Sequence, residues 1–335
     1  MTTVFVSHPP DKLAHYFGDR AIAALKAVAE VRFNPVDTAL SSHDLAALAH
    51  DCDVIIAYRQ TAGDEALFAA MPQLLAFVRC AIDIRNIDVP AASHHGVLVT
   101  QASAGFVASV SEWIIGVMID LSRHITVSTL LYQSGKPVVP VMGRELRGAT
   151  LGVIGYGQIG QYLCDVALAF GMRIVVHDPF APPQHSALEA LGLAALLQQS
   201  DYVVCLAAAT PATENMMDAQ AFALMKRSAF FINASRGNLV NEADLLAALD
   251  AGVLAGCALD VGRAPDQMPS PALVVHPRVI ATPHIGGLTP PAIEHQAMET
   301  VAQVTELLQG RAPQGAVNAQ QAWRWQRASH SPQVA

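Results

Sequence analysis

The chain has 335 residues, 52% hydrophobic and 14% charged, with a net charge of −8. That length accommodates two domains with substantial cores, and the composition suits a compact α/β protein and excludes a disordered one. The negative balance argues against nucleic-acid or anionic-membrane partners. No uninterrupted apolar stretch reaches the roughly 18 residues a bilayer span needs, and no export signal is read at residues 1–10. The five cysteines (Cys52, Cys80, Cys164, Cys205, Cys257) are scattered, lack CxxC spacing and read as reduced, mostly buried thiols of a cytoplasmic protein. The thirteen histidines show no HxxxH pattern, so no metal site is expected.

Residues 3–7 read as a first strand, followed by a helix at 19–29 and the run Val31-Arg32-Phe33. Ser42-His43-Asp44 caps a further helix. Three apolar runs (53–57, 74–78 and 97–100) read as buried strands. Strands alternating with helical patterns predict βαβ units and a mostly parallel sheet. Residues 108–124 read as a long apolar-periodic helix placed to cross to a second domain, and 132–149, with its glycines and prolines, as an exposed connection.

The rest is organised around residues 148–178. The apolar run Thr150–Ile154 reads as a buried strand, and Gly155-Tyr156-Gly157-Gln158-Ile159-Gly160 follows it into a helix. A second run, Arg173–His177, ends on Asp178. Gly155 permits the tight turn, Gly157 lets the backbone approach a pyrophosphate, and Gly160 allows close helix–strand packing. The helix beginning at Gln158 and Ile159 offers unpaired N–H groups and a positive dipole end to phosphates. Asp178 accepts from ribose hydroxyls and repels a 2′-phosphate, which favours NAD over NADP. A lone GxGxxG is weak evidence, but strand, helix, second strand and terminal acid in register point to a dinucleotide site.

Beyond Asp178 the alternation continues: helix 188–199, strand 202–206, helix 219–225, strand 229–233, helix 242–251, strands 256–261 and 278–281, and helix 290–309. The last helix is expected to return the chain to the first domain. The tail 319–335 carries Trp323 and Trp325, expected to pack on a partner or on the domain seam.

In open α/β sheets, ligands bind beyond the carboxyl ends of the strands. Three such ends carry polar loops here: Ala234-Ser235-Arg236-Gly237, Gly262-Arg263-Ala264-Pro265-Asp266, and Thr282-Pro283-His284-Ile285-Gly286-Gly287. Oxidising a 2-hydroxy acid requires a group that exchanges the hydroxyl proton and a cation that holds the carboxylate. A histidine suits the first task and the planar fork of an arginine the second. A single histidine after a strand is more often a structural hydrogen-bonder. Beside an arginine loop and flanked by Pro283 and Gly286-Gly287, His284 reads as the acid/base and Arg236 as the anchor.

These motifs, with Ala258-Leu259-Asp260-Val261 and Ile232 through Val240, resemble the D-isomer-specific 2-hydroxyacid dehydrogenase family (phosphoglycerate and glycerate dehydrogenases among them) almost end to end. The resemblance implies two Rossmann-like, doubly wound parallel-sheet domains with a cleft between them. A flavodoxin-like substrate domain would take residues 1–100 and 288–335, and an NAD-binding domain 101–287. It also implies that Arg236 binds a small anionic substrate and His284 is the acid/base, both also lying at the cofactor. Asp260 would contact the nicotinamide carboxamide, with Thr210-Pro211, Ala234, Ser235 and Gly286 along the cofactor. Arg59 and the loop Ala81-Ile82-Asp83 would meet the substrate. A homodimer through the cofactor domains is implied as well.

Two departures stand out. Ala264 falls where the family's glutamate pairs with the histidine, and each pKa unit lost with such a partner is about 1.4 kcal/mol of imidazolium stabilisation. Asp266 and Asp83 are the candidate substitutes, although a solvated loop acid is the plainer reading of each. Ala81 and Asp83 stand where the family has glycines, so Arg79 or Arg85 would have to offset the Asp83 charge. The alternatives are a dehydrogenase of another small anion, formate- or phosphite-like, and a non-catalytic NAD(H)-sensing binding protein.

Overall fold

A computed structural model describes residues 2–330, the side chains of Asp266 and His330 excepted. The chain forms two compact units, one of residues 1–105 and 290–335 and the other of residues 106–289.

The first unit holds one parallel sheet of β1 (Thr3–Val6), β2 (Glu30–Phe33), β3 (Val54–Ala57), β4 (Ala76–Arg79) and β5 (Leu98–Gln101), in the order β2-β1-β3-β4-β5. That is the flavodoxin-like order, with its reversal between β1 and β3. Every position of β1, β3 and β4 is buried, because helices cover both faces of a parallel sheet. Successive side chains alternate between faces. Val4, Val6, Val54, Ile56 and Val78 pack with Val301 and Val304 of helix Pro290–Leu308, whereas Phe5, Ile55 and Phe77 pack with Leu45, Leu67 and Phe68.

The second unit holds a seven-stranded parallel sheet: β6 (Thr150–Ile154), β7 (Arg173–His177), β8 (Leu188–Ala190), β9 (Tyr202–Cys205), β10 (Phe230–Asn233), β11 (Gly256–Leu259) and β12 (Val279–Ala281). Its order, β12-β11-β10-β9-β6-β7-β8, is the doubly wound dinucleotide-binding order extended by a seventh strand. The reversal falls between β6 and β9, and Gly155 follows directly on the end of β6.

Helix Val107–Arg123 lies in this second unit and buries Ile114, Met118 and Leu121 against the β6-side core. It stops at His124, whose left-handed backbone (φ 56°) turns the chain by 66° into helix Ile125–Gln133. No single helix among the described residues is long and apolar enough to cross a membrane.

Several local expectations are corrected. Residues 188–199 are not one helix: Leu188–Ala190 pair in parallel with Ile174–Val176 as β8, and the helix starts at Leu193 after Gly192. The sheet edge offered pairing partners that helical periodicity does not reveal. Ser41, rather than Ser42, caps helix Ser42–Leu48, accepting from the Asp44 N–H at 3.2 Å. Helix Ile125–Gln133 begins just before the span read as a connection, and no sequence signal marked it.

Trp323 and Trp325 pack within the first unit. Trp325 is buried against that unit's core with its Nε1 donating to the Leu307 carbonyl at 3.3 Å, and the Trp323 ring covers Gly96.

Candidate active site

The carboxyl ends of the second sheet gather one set of candidates. Gly155 adopts φ +97°, and a Cβ there would sit 2.7 Å from backbone atoms of Leu206 and Ala207. A Cβ on Gly160 would come within 2.4 Å of the Gly155 carbonyl oxygen. Both neighbours are backbone, so neither glycine can be replaced without moving a strand end. Gly157 is the N-cap of helix Gln158–Ala169, with no side-chain cap and open space where its Cβ would be. The first helical N–H groups thus face a free cradle with the positive end of the helix dipole.

Asp178 closes the turn. One carboxylate oxygen accepts from the Tyr156 N–H at 2.7 Å, and the other from the N–H groups of Phe180 and Ala181 at 2.9 and 3.0 Å. Burial pushes this carboxyl up, but the three backbone donors outweigh it and hold the group below the usual carboxylate range. Three donors occupy three of roughly four lone-pair positions, which leaves room for a hydroxyl. Cradle, dipole and acceptor fit the diphosphate and ribose of a dinucleotide.

Thr210 caps the short turn Pro211–Thr213 after β9. The Ser235 hydroxyl donates to the Ala207 carbonyl at 2.7 Å and so ties the β10 end to the β9 end. Ala234 packs against the β6-side core. Arg236 is half-buried in extended backbone, its carbonyl accepting from the Asn233 side chain at 2.9 Å.

His284 also has a left-handed backbone, φ 55°. Its N–H donates to the Asp260 carbonyl at 3.0 Å. The Asp260 carboxylate, 3% exposed, receives the Thr282 hydroxyl at 2.6 Å and the N–H groups of Ile285 and Gly286, each at 2.8 Å. Asp260 therefore holds the loop that carries His284, a task sequence reading missed. The residue pattern marked its position but not its three donors. Gly286 is required there, since a Cβ would meet the Asp260 carboxylate at 2.8 Å.

Loop 262–264 supplies no carboxylate in place of the family's glutamate: Ala264 N–H donates to the Met268 carbonyl at 3.0 Å, and Arg263 reaches away to Glu214. The Asp266 side chain lies outside the described residues.

In the first unit, the ends of β1, β3 and β4 gather the second set. Arg59 places its guanidinium 5.3 Å from the Tyr16 ring centre. Ala81 and Ile82 follow β4, with Ile82 exposed. Arg85 pairs with Asp83 through both its Nε and Nη2 (3.0 and 2.8 Å), so Arg85 is the cation that offsets the Asp83 charge. Arg79 is fully buried and serves differently. It donates to the carbonyls of Tyr58 and Thr61 and to Asn86 Oδ1, fastening the segment around Arg59 to Asn86. Next to it, buried His8 is pushed down to about 3, first by burial and then by the Arg79 cation. Sequence reading passed over His8, which carries no motif.

Two doubly wound parallel units, one with a glycine turn, an open helix N-terminus and a strand-end aspartate, define a dinucleotide-binding α/β protein. Residues 115–286 match the model of the D-isomer specific 2-hydroxyacid dehydrogenase NAD binding domain, and the chain belongs to that family. It is 31% identical over 322 residues to D-3-phosphoglycerate dehydrogenase of Synechocystis sp., covering 95% of this chain and 56% of the relative. The chain thus spans about half the length of the curated relatives it matches. Among solved structures, the TT0316 protein from Thermus thermophilus superposes with a TM-score of 0.86 at 26% identity, covering 94% of this chain and all of that one. A protein from Polaromonas sp. shares the fold, with a TM-score of 0.87 at 23% identity over 95% and 99% of the two chains.

Proposed function

We propose that the protein is an NAD-dependent oxidoreductase acting between small D-2-hydroxy acids and 2-oxo acids, with His284 as acid/base and Arg236 as carboxylate anchor. The observation that carries this reading is the backbone of His284. A non-glycine residue in the left-handed region costs about 1–2 kcal/mol, and here the buried Asp260 carboxylate holds its loop there by accepting three hydrogen bonds. Such maintained strain is a mark of a functional position.

Bound nicotinamide would carry the hydride. His284 would deliver a proton to the carbonyl oxygen during reduction and withdraw it during oxidation. Arg236 would hold the carboxylate by its planar fork. The fixed carboxylate of Asp178 supports NAD over NADP, because a 2′-phosphate would stand against a charge that three N–H groups keep ionised. The test is NADH oxidation with glyoxylate, hydroxypyruvate, pyruvate, phenylpyruvate and a dicarboxylate at pH 5–9. Turnover of at least one is expected. Tight NADH binding with no turnover of any would overturn the reading.

A homodimer and a cytoplasmic location belong to the same reading. Helix Ile125–Gln133 buries none of its residues and exposes Ile125, Leu130 and Tyr132, which suits a second copy. All five cysteines are free and buried, as in a reducing compartment. Leu130→Glu is expected to shift the mass in solution from two chains to one.

A further inference from the structure

We propose that Arg263 is a positioning residue for Arg236, stapling the segment that carries the carboxylate anchor; this rests on the anchoring role proposed above. Arg263 occupies the loop after β11, next to the position where the family's glutamate is replaced by Ala264. Its Nε donates to the Val240 carbonyl at 3.1 Å. Its Nη2 is shared among the Asn238 carbonyl at 3.0 Å, Asn215 Oδ1 at 2.6 Å and Glu214 Oε1 at 2.8 Å. Its own N–H is fixed by Glu242 Oε1 at 2.9 Å.

Arg236 is therefore bracketed. Upstream, the Asn233 side chain donates to its carbonyl. Downstream, two of the next four carbonyls, at 238 and 240, are gripped by one guanidinium. Between them, a Cβ on Gly237 would lie 2.1 Å from the Gly262 carbonyl oxygen, so the two loops touch backbone to backbone. A planar fork with five fixed donors can bridge carbonyls and a carboxylate at once, and a lysine ammonium on a flexible stem cannot hold that geometry. The pairing also holds the Glu214 carboxyl below its usual range.

The experiment measures oxamate, an unreactive carboxylate analogue of pyruvate, binding to the full chain saturated with NADH. Arg263→Ala should weaken oxamate about tenfold, short of the ~100-fold a 1 Å misplacement can cost, with NADH affinity retained. Arg263→Lys should fail to restore it, whereas Glu214→Gln, which keeps an acceptor and removes a charge, should bind oxamate as the parent does. In an Arg236→Ala background, where oxamate affinity is already low, Arg263→Ala should add nothing. Unchanged oxamate affinity in a folded Arg263→Ala protein overturns the inference, as does parallel loss of NADH and oxamate. Failure of the parent complex to bind oxamate, or no loss in Arg236→Ala, overturns the anchoring role itself.

Discussion

Asp260 and His284 are joined twice over: the His284 N–H donates to the Asp260 carbonyl at 3.0 Å, and the Asp260 carboxylate holds Thr282, Ile285 and Gly286 on either side of it. The backbone that carries the imidazole is thus set by a buried anion one strand away. His284→Ala should lower turnover by about 10²–10⁴-fold, the usual contribution of a positioned acid/base, while leaving NADH affinity nearly intact. Steady-state kinetics beside NADH fluorescence titration separates the two, and equal losses in both would sink the assignment. Asp260→Asn places an amide donor against an N–H or a hydroxyl donor, so both turnover and melting temperature should fall.

Asp178 is expected to govern cofactor choice. Asp178→Ala removes the acceptor offered to the ribose and leaves the Tyr156, Phe180 and Ala181 N–H groups unsatisfied. NADH should bind more weakly, and the NADH:NADPH ratio of kcat/KM should drop by about tenfold, equivalent to about 1.4 kcal/mol. A ratio that stays fixed would show that discrimination resides elsewhere.

His8 gives the first unit a defined acid sensitivity. Its folded pKa is about 3 against an ordinary value of 6.5, so between those pH values the unfolded chain binds a proton that the folded chain does not. Stability is then fully present above 6.5 and declines as pH falls, by about 1.4 kcal/mol per pH unit from this group alone. The His8 Nδ1 has no hydrogen-bond partner among the described residues, and the ring packs on Phe17 and Tyr58, so His8→Phe should be tolerated and should flatten the slope. Chemical denaturation between pH 4 and 7 measures it.

Gly96 and Trp323 fix the start of helix Trp323–His330 in the first unit. Gly96 adopts φ +71°, and a Cβ there would lie 2.3 Å from the Trp323 ring. Gly96→Ala adds left-handed strain of about 1–2 kcal/mol to overpacking of about 1–3 kcal/mol. A clear drop in melting temperature with unchanged NADH affinity is expected. Trp323→Ala should relieve the overpacking part, which a double-mutant comparison would reveal.

The two α/β units, the glycine turn with Asp178, and the strand ends bearing Arg236, Asp260 and His284 were legible in the residues alone. Buried parallel strands are continuous apolar runs, and phosphate turns need glycine at fixed spacing, so both leave local marks. Folding in three dimensions settled what those marks do not encode. Residues 188–190 became a strand because a sheet edge was there to pair with. Asp83 was matched by Arg85 rather than Arg79, because Arg79 points inward to carbonyls of a separate loop. The tryptophan tail found a seat over Gly96, more than two hundred residues upstream. Each of these depends on which backbone groups and charges meet across long sequence separations, and residue periodicity carries no record of that.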